Sequence, residues 1–395
     1  MKEGWRNKRI DEITYLITDG DWIESRHQSD DGFRLIQTGN IGRGIFKSKD
    51  DKPHFISETT FKELSCTEIF EGDCLISRLP DPVGRSCLIP NIGNRMITAV
   101  DCTILRFKKE VIPSYFVYYT QSNRYSKEIE GNVTGATRKR ISRKNLEKIQ
   151  VPVPPLLEQQ HIVEELDLLS SIIEKKKAQL NELDILAQSL FYEMFGDPIA
   201  NENGWEVDML ENVVANDCTI SYGIVQPGDD VLDGIPVVRP VDLVTIVVER
   251  EGLKRVAKDI SDFYKRTILK GGEILLCVRG TTGIMSFASS NLAGCNVTRG
   301  ITPLAFGDKL NKYYAFCYLK SKHIQDIIAD NTRGATLKQI NMKDVRQLPM
   351  LIPPIGLQNQ FASKIEAIEH QKELIKQSIK EVETLFISRM DYYFN

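Results

Sequence analysis

One phrase occurs twice in this chain. GATRKRISRKNLEKIQVPVPPLLEQQ starts at Gly135, and GATLKQINMKDVRQLPMLIPPIGLQNQ starts at Gly334, 199 residues further on in a chain of 395. At that offset Tyr115, Tyr119 and Ser122 fall on Tyr314, Tyr318 and Ser321. Lys139, Ile141 and Lys144 fall on Lys338, Ile340 and Lys343, and Gln159 falls on Gln358. Nearer the start the offset is 200, with Gly4-Trp5 over Gly204-Trp205 and Gly72 over Gly272. Solenoid repeats have periods of about 20–50 residues. A period this long is therefore a duplicated domain with a trailing element.

Each copy opens with Gly-Trp and runs through β-like stretches punctuated by Gly, Pro, Asn and Asp. These are FRLIQTG, DCLISR and CTILRF in the first copy, and IPVVRPV, EILLCVR and ITPLAF in the second. A helical stretch follows, SYFVYYTQSNRYSKEI or KYYAFCYLKSKHIQDII, so each copy is α+β. Pro154-Pro155 and Pro353-Pro354 continue neither strand nor helix and mark stiff hinges.

Beyond each hinge lies a heptad seam. Ile162, Leu166, Leu169, Ile173, Lys176, Leu180, Leu183, Ala187, Leu190 and Met194 are spaced by alternating steps of 4 and 3. Phe361, Ile365, Ile368, Lys372, Ile375, Ile379, Val382, Phe386, Arg389 and Tyr393 each lie 199 residues after a counterpart. Two amphipathic helices could each pack on their own domain. A seam of nearly five heptads is longer than one small domain covers, so helix-to-helix pairing is the expected arrangement. Similar halves joined head to tail close on themselves with pseudo-two-fold symmetry when their helices run antiparallel. The expected architecture is two similar α+β domains in tandem, separated by two long helices in an antiparallel coiled coil. The segments are 1–153 (first domain), 154–197 (first helix), 198–352 (second domain) and 353–395 (second helix). Gly196-Asp197-Pro198 ends the first helix. Lys176 and Lys372 interrupt the seams, where they either fix register or snorkel; snorkelling is the expectation. The duplication also predicts that residues 1–198 alone dimerise through their helix.

The composition, 42% hydrophobic and 27% charged with mean hydropathy −0.25, is that of an ordinary soluble protein. The start lacks the apolar run of a signal peptide and no segment has the length of a membrane span, so a cytoplasmic location and no membrane partner are expected. Eight cysteines without a CxxC pair read as buried thiols, and five histidines have no zinc-like spacing. The formal charge of −3 is unevenly spread. Residues 156–194 carry −5 and 361–394 carry −1, which leaves +3 on the remainder.

Two variable α+β domains that open with Gly-Trp, end in GAT…I…L…PxPPLxEQQ and lead into a long helix resemble the specificity subunit of Type I restriction–modification enzymes. The resemblance runs from Gly4 to about Tyr393, and VPVPPLLEQQHIVEELD is its strongest segment. The second copy departs from it, with Leu357 in place of Glu158. The resemblance implies two target recognition domains, each reading half of a split double-stranded DNA site, with the coiled coil as spacer. It implies docking of two S-adenosylmethionine-dependent adenine methyltransferase subunits and of up to two restriction/translocase subunits. The chain itself is expected to hold no cofactor, since S-adenosylmethionine, ATP and Mg belong to those partners.

The residues support a DNA-facing role on their own terms. Because the halves differ in sequence, the predicted site is bipartite and asymmetric. Residues 131–150 carry +5, with Arg138, Lys139, Arg140, Arg143 and Lys144 beside Thr137. Ser142 is a candidate N-cap for a short helix at 143–147, whose N-terminus would favour a phosphate. The second copy has Thr336, Lys338 and Lys343, with Arg333 nearby. Such contacts position a protein on DNA without specifying sequence. A solvated basic turn is the plainer reading of the same residues. Base readout is expected from loops that differ between copies: Gln37, Asn40 and Arg43, with Arg239 in the matching place, and Arg78 and Arg85, with Arg279, Thr281 and Thr282. Amide and guanidinium groups suit adenine and guanine edges. No Asn/Asp-Pro-Pro-aromatic methyltransferase motif is present, and GNIGRG has the wrong spacing for a nucleotide loop. No catalytic activity is expected of the chain alone. Two alternatives stay open: a protein-binding coiled-coil scaffold, and the specificity subunit of a related split-site restriction system.

Overall fold

A computed structural model describes residues 4–135, 139–335 and 337–395. The chain divides into two compact units, Met1–Lys177 with Gln377–Asn395, and Ala178–Lys376. Each unit therefore contains a globular part and a segment of both long helices.

In the first unit the opening strand Arg6–Arg9 pairs antiparallel with Gln150–Val153, the strand just before the hinge. An antiparallel sheet runs in the order Thr14–Asp19, Cys102–Phe107, Cys74–Ser77, Ser86–Leu88. A mixed sheet contains Phe33–Ile36 parallel to Met96–Thr98. The second unit repeats the plan. Glu206–Met209 pairs with Pro349–Ile352, Ile274–Cys277 pairs with Ile301–Leu304, and Ile235–Val238 runs parallel to Asn296–Val297. All six β-like stretches of the sequence contain these strands. Each helical stretch, however, is two helices: Pro113–Tyr119 and Asn123–Asn132 in the first copy, Lys312–Lys320 and Lys322–Asp330 in the second. The break falls at the matched serines. Ser122 caps the new helix by accepting from the Tyr125 amide at 3.2 Å.

Six of the eight cysteines are buried thiols, and Cys218 and Cys317 are half-buried. Cys66, Cys74, Cys87 and Cys102 lie in the first unit's interior. Burial, acting with a neighbouring thiol or carboxylate, pushes the Cys87 and Cys102 thiols up to about 12. Among the described residues no helix is long and apolar enough to cross a membrane.

Both long helices, Leu156–Phe195 and Ile355–Phe394, are 40 residues long. Every seam position is buried or half-buried, while most residues between them are exposed. The helices pair antiparallel within each unit. In the first unit Arg389 pairs with Glu165: Nη2 donates to Oε2 at 2.8 Å, and Nε lies 2.5 Å from Oε1 as an ion-pair contact. The Tyr393 hydroxyl donates to the same carboxylate. In the second unit Phe361 lies against Phe191 and Phe195, at centroid distances of 5.8 and 5.2 Å, and Lys372 reaches Asp184 at 2.8 Å. As one partner number rises from 361 to 372, the other falls towards 184, which is the signature of opposed strand directions. The expectation for Lys372 is corrected here. It is buried and held between Asp184 and Glu369, both at 2.8 Å, rather than extended into water. Burial pulls its pKa down, but the two carboxylates outweigh that and raise it overall.

The repeated phrase mounts each domain on its helix. Gln159 and Gln358 are fully buried. Gln159 accepts from the Ile112 amide and donates to the carbonyls of Glu110 and Pro154, all at 2.8 Å. Gln358 makes the matching set: it accepts from Asn311 at 2.8 Å and donates to Lys309 at 3.1 Å and Pro353 at 2.7 Å. One side chain thus ties the hinge to the N-terminus of a helix in the preceding domain, Pro113–Tyr119 or Lys312–Lys320. Tyr115 and Tyr314 reinforce the joint by donating to Pro152 and Leu351.

Gln159→Leu or Gln358→Leu leaves one amide and two carbonyls buried without partners. Each is expected to lower folding stability by about 2–4 kcal/mol in denaturant titrations. Glu165 gives a pH signature. The Arg389 hydrogen bonds hold its carboxyl below the usual carboxylate range. Its contribution is therefore present at neutral pH and lost as pH falls through the lowered pKa. Glu165→Gln should destabilise by about 1 kcal/mol at pH 7, and the gap to wild type should close in acid melts.

Candidate nucleic-acid interface

The described residues on either side of GAT pair in the same way in both copies. In the first, the Thr134 and Arg140 backbones exchange N–H···O bonds at 2.9 Å; in the second, Arg333 and Gln339 do so at 2.8 Å. Each exchange closes a short hairpin. The turn glycines are required: Gly135 has φ +98° and Gly334 has φ +111°. A Cβ on Gly334 would sit 2.3 Å from the Leu337 carbonyl oxygen. Past the hairpin, Ile141 and Ile340 are buried and donate to the carbonyls of Arg78 and Val278. The hairpin is thereby laid against the loop that follows the central strand, Cys74–Ser77 or Ile274–Cys277.

This brings together much of the predicted set. In the first unit Arg43 and Lys139 are exposed and line one cleft of about 520 Å³ with Gly135 and the 80–85 loop. Arg43 donates to the Gln121 carbonyl at 2.5 Å. Arg140, Arg143 and Lys144 are also exposed. Arg140 pairs with Asp101 at 2.9 Å, and Arg143 pairs with Glu147 at 3.3 Å. Ser142 caps the helix Arg143–Leu146 by accepting from the Asn145 amide at 3.2 Å. That helix is a single turn. In the second unit Arg333, Lys338 and Lys343 are exposed. The Arg279–Thr282 loop runs alongside the hairpin: Gly280 donates to the Lys338 carbonyl at 2.8 Å, and Thr332 donates to the Thr282 hydroxyl at 3.1 Å. Thr281 is exposed and Arg279 half-buried. Thr137, Arg138 and Thr336 lie outside the described residues. Gln37 is half-exposed and lines a separate cleft with Lys49, Lys52 and His54.

Four residues have a different job from the one the sequence suggested. Asn40 is 6% exposed. Its amide oxygen accepts from Gln37, and its nitrogen donates to the Lys47 and Ser48 carbonyls. Arg85 is 8% exposed and binds four backbone carbonyls, those of Ile41, Leu79, Pro82 and Thr38, at 2.6–2.9 Å. Arg78 is buried, donates to the Val100 carbonyl at 2.5 Å and pairs with Asp19 at 3.3 Å. Burial first, and then repulsion from Arg140 and Arg143, holds its guanidinium below the usual value against the pull of Asp19 and Asp101. Arg239 is folded onto Asp242, with Nη2 to Oδ1 at 2.9 Å. These four hold loops in shape through the contacts named.

The structure also adds cations that the sequence reading passed over. Lys49 and Lys52 join Gln37, but their neighbours Asp50 and Asp51 cancel the local charge in the sequence. Arg299 stacks on the Tyr222 ring at 5.7 Å, and the Tyr222 hydroxyl accepts from Gln339, the residue that closes the second hairpin. Neither Tyr222 nor Arg299 lies near Gln339 in sequence, so only the fold reveals the group.

The family model described as Type I restriction modification DNA specificity domain matches residues 2–184 and 229–384. The chain is similar to the Type I restriction enzyme EcoBI specificity subunit of Escherichia coli, 23% identical over 317 residues, which are 74% of this chain and 65% of that one. The chain thus spans about two thirds of that subunit's length. It is also similar to the Type I restriction enzyme MjaIX specificity subunit of Methanocaldococcus jannaschii, 25% identical over 358 residues, 81% of this chain and 77% of that one. Its fold resembles a chain solved in work on complex assembly and conformational transition of the type I R-M system, with TM-score 0.60, 18% identity, and coverage of 100% of this chain and 98% of that one. With two matched segments that together take in most of its length, and with two copies of one α+β plan joined by paired helices, this chain belongs to the Type I restriction modification DNA specificity family.

Proposed function

We propose that the chain is the DNA-recognition subunit of a Type I restriction–modification assembly, each unit reading one half of a bipartite, asymmetric double-stranded site. The observation that carries this reading is the hairpin built twice, closed by the same backbone exchange and carrying exposed cations in both copies. Cations at matched positions suit a polyanion that runs past both units, because phosphate contacts position a reader without encoding sequence. The loops beside the hairpins differ between copies, as two unlike half-sites require. The chain contributes recognition and no catalysis. Methyl transfer, with S-adenosylmethionine, belongs to docked methyltransferase subunits, and ATP- and Mg-dependent restriction to translocase subunits. The exposed residues Lys139, Arg140, Arg143, Lys144, Arg333, Lys338 and Lys343 are the proposed phosphate contacts. Gln37, Arg43, Arg279, Thr281 and Thr282 remain the proposed base readers.

Sequencing the methylome of the host with and without this gene tests the reading. Loss of one split, non-palindromic methylation motif is expected, and an unchanged methylome would sink it. At residue level, Lys139→Ala with Lys144→Ala should weaken DNA binding by the assembled complex about equally for all sequences. The slope of log K against log salt should fall by about 0.9 for each phosphate that is no longer neutralised. Arg85→Ala should act differently. It strands the carbonyls of Ile41 and Pro82, takes one of two donors from those of Thr38 and Leu79, and should lower the thermal stability of the first unit by about 2–4 kcal/mol, whereas the exposed lysine variants should change stability by under about 0.5 kcal/mol.

A further inference from the structure

We propose that the second unit contains a socket for one uncharged aromatic ring of phenol size, in the cavity between its helix segments and its globular part. The inference does not depend on the DNA-reading proposal. The cavity measures about 460 Å³. Its walls are Phe191 and Tyr192 from the first long helix, Phe287, Tyr313 and Phe316 from the globular part, and Ile365 from the second long helix. These walls brace one another: Phe287 stacks on Phe316 at 4.5 Å and meets Tyr313 at 5.3 Å.

The duplication identifies what is missing from this space. In the first unit the Tyr118 ring lies 6.3 Å from the Phe386 ring, centroid to centroid, and its hydroxyl donates to Asp167 at 2.6 Å. The residues 199 positions away in the second unit are Cys317 and Ala187, and both line the cavity. A phenol and a phenyl ring in one copy are a thiol and a methyl in the other, and the volume has stayed open. Protein interiors pack with few voids larger than a water molecule. An apolar cavity of about 150 Å³ already takes benzene. The carboxylates of Asp184 and Glu369 also line the space, as does Lys372, which takes one oxygen of each at 2.8 Å; the second oxygen of either can accept from a phenolic hydroxyl, the part Asp167 plays in the first unit. The ligand class is thus defined by the side chain that fills the equivalent place: a neutral phenol before a plain alkylbenzene.

The test uses the full chain, p-cresol and toluene, with ligand-observed saturation-transfer NMR and thermal denaturation. Saturable binding of p-cresol is expected, about tenfold tighter than toluene because of the hydrogen bond to a charged acceptor. The double variant C317Y/A187F restores the first unit's rings. It should bind p-cresol at least about tenfold more weakly, on the same energetic scale, while melting no lower than wild type. If that variant does not fold, Ala187→Leu alone must reduce the affinity. No saturable signal with wild type up to about 10 mM p-cresol, or an undiminished signal in a folded variant with the space filled, overturns the proposal.

Discussion

The core of the first unit is completed by the last residues of the chain. Phe394 packs 5.6 Å from Tyr115 and 5.9 Å from Tyr119, beside Met390 and Tyr393 and against Ile162 and Leu166 of the first long helix. The second unit is completed in the same manner by Phe191 and Phe195, which meet Tyr314 and Phe361. Neither globular part has a finished core without the end of one long helix and the start of the other. Antiparallel pairing is therefore a condition of folding here, and the hairpins and their neighbouring loops stand on a base that the pairing creates. The glutamine joints at 159 and 358 carry that rigidity from the helices to the domains.

The same dependence accounts for Gly-Trp at the head of each copy. In the second unit the Trp205 indole donates to the Phe195 carbonyl at 3.1 Å, so it seals the end of the first long helix. In the first unit Trp5 shares a core with Phe394, the end of the second long helix. Arg124 adds a further tie, its amide donating to the Asn395 side chain at 2.8 Å and its guanidinium to Asn7 at 3.3 Å. The first copy meets the chain's end as the second copy meets the helix it is joined to. The duplication thus extends to the junctions as well as the domains.

Legibility in the sequence followed the physics of each feature. The heptad seam was readable residue by residue because burial along a helix repeats with a period. The six strands were readable because buried strands are rich in β-branched and apolar residues. The serine breaks between paired helices were passed over, since Ser122 and Ser321 signal a cap only once the neighbouring turn is known. In the loops, charge was a poor guide to exposure. Arg78 and Arg85 look like solvent-facing readers beside Gly and Pro, yet both are buried: Arg85 donates to four backbone carbonyls, and Arg78 to one while pairing with Asp19. Arginine stays protonated, but Arg78 is paired with Asp19; Lys139 and Arg43 are the exposed cations beside these loops, and Arg85 holds the loop in shape.

The two copies have diverged in a way that disfavours self-pairing. Each unit has a cross-helix ion pair, Glu165 with Arg389 and Asp184 with Lys372. The residues 199 positions away from Arg389 and Lys372 are Leu190 and Ile173. If the first helix paired with a copy of itself in the same register, Glu165 would face Leu190 and Asp184 would face Ile173. Both carboxylates would lose their cations, and a segment carrying −5 would lie along its own copy. This opposes the dimer that the duplication alone predicts for residues 1–198. The apolar seam is common to both helices and permits any pairing; the ion pairs are not shared between copies and favour one. Specificity of assembly thus rests on two polar contacts whose cations stand in the seam itself, the arrangement by which a polar seam residue selects register and partner in coiled coils. It also gives Lys372 a physical reason to interrupt the seam: in a seam that would otherwise pair promiscuously, it is one of the residues that distinguish the two helices.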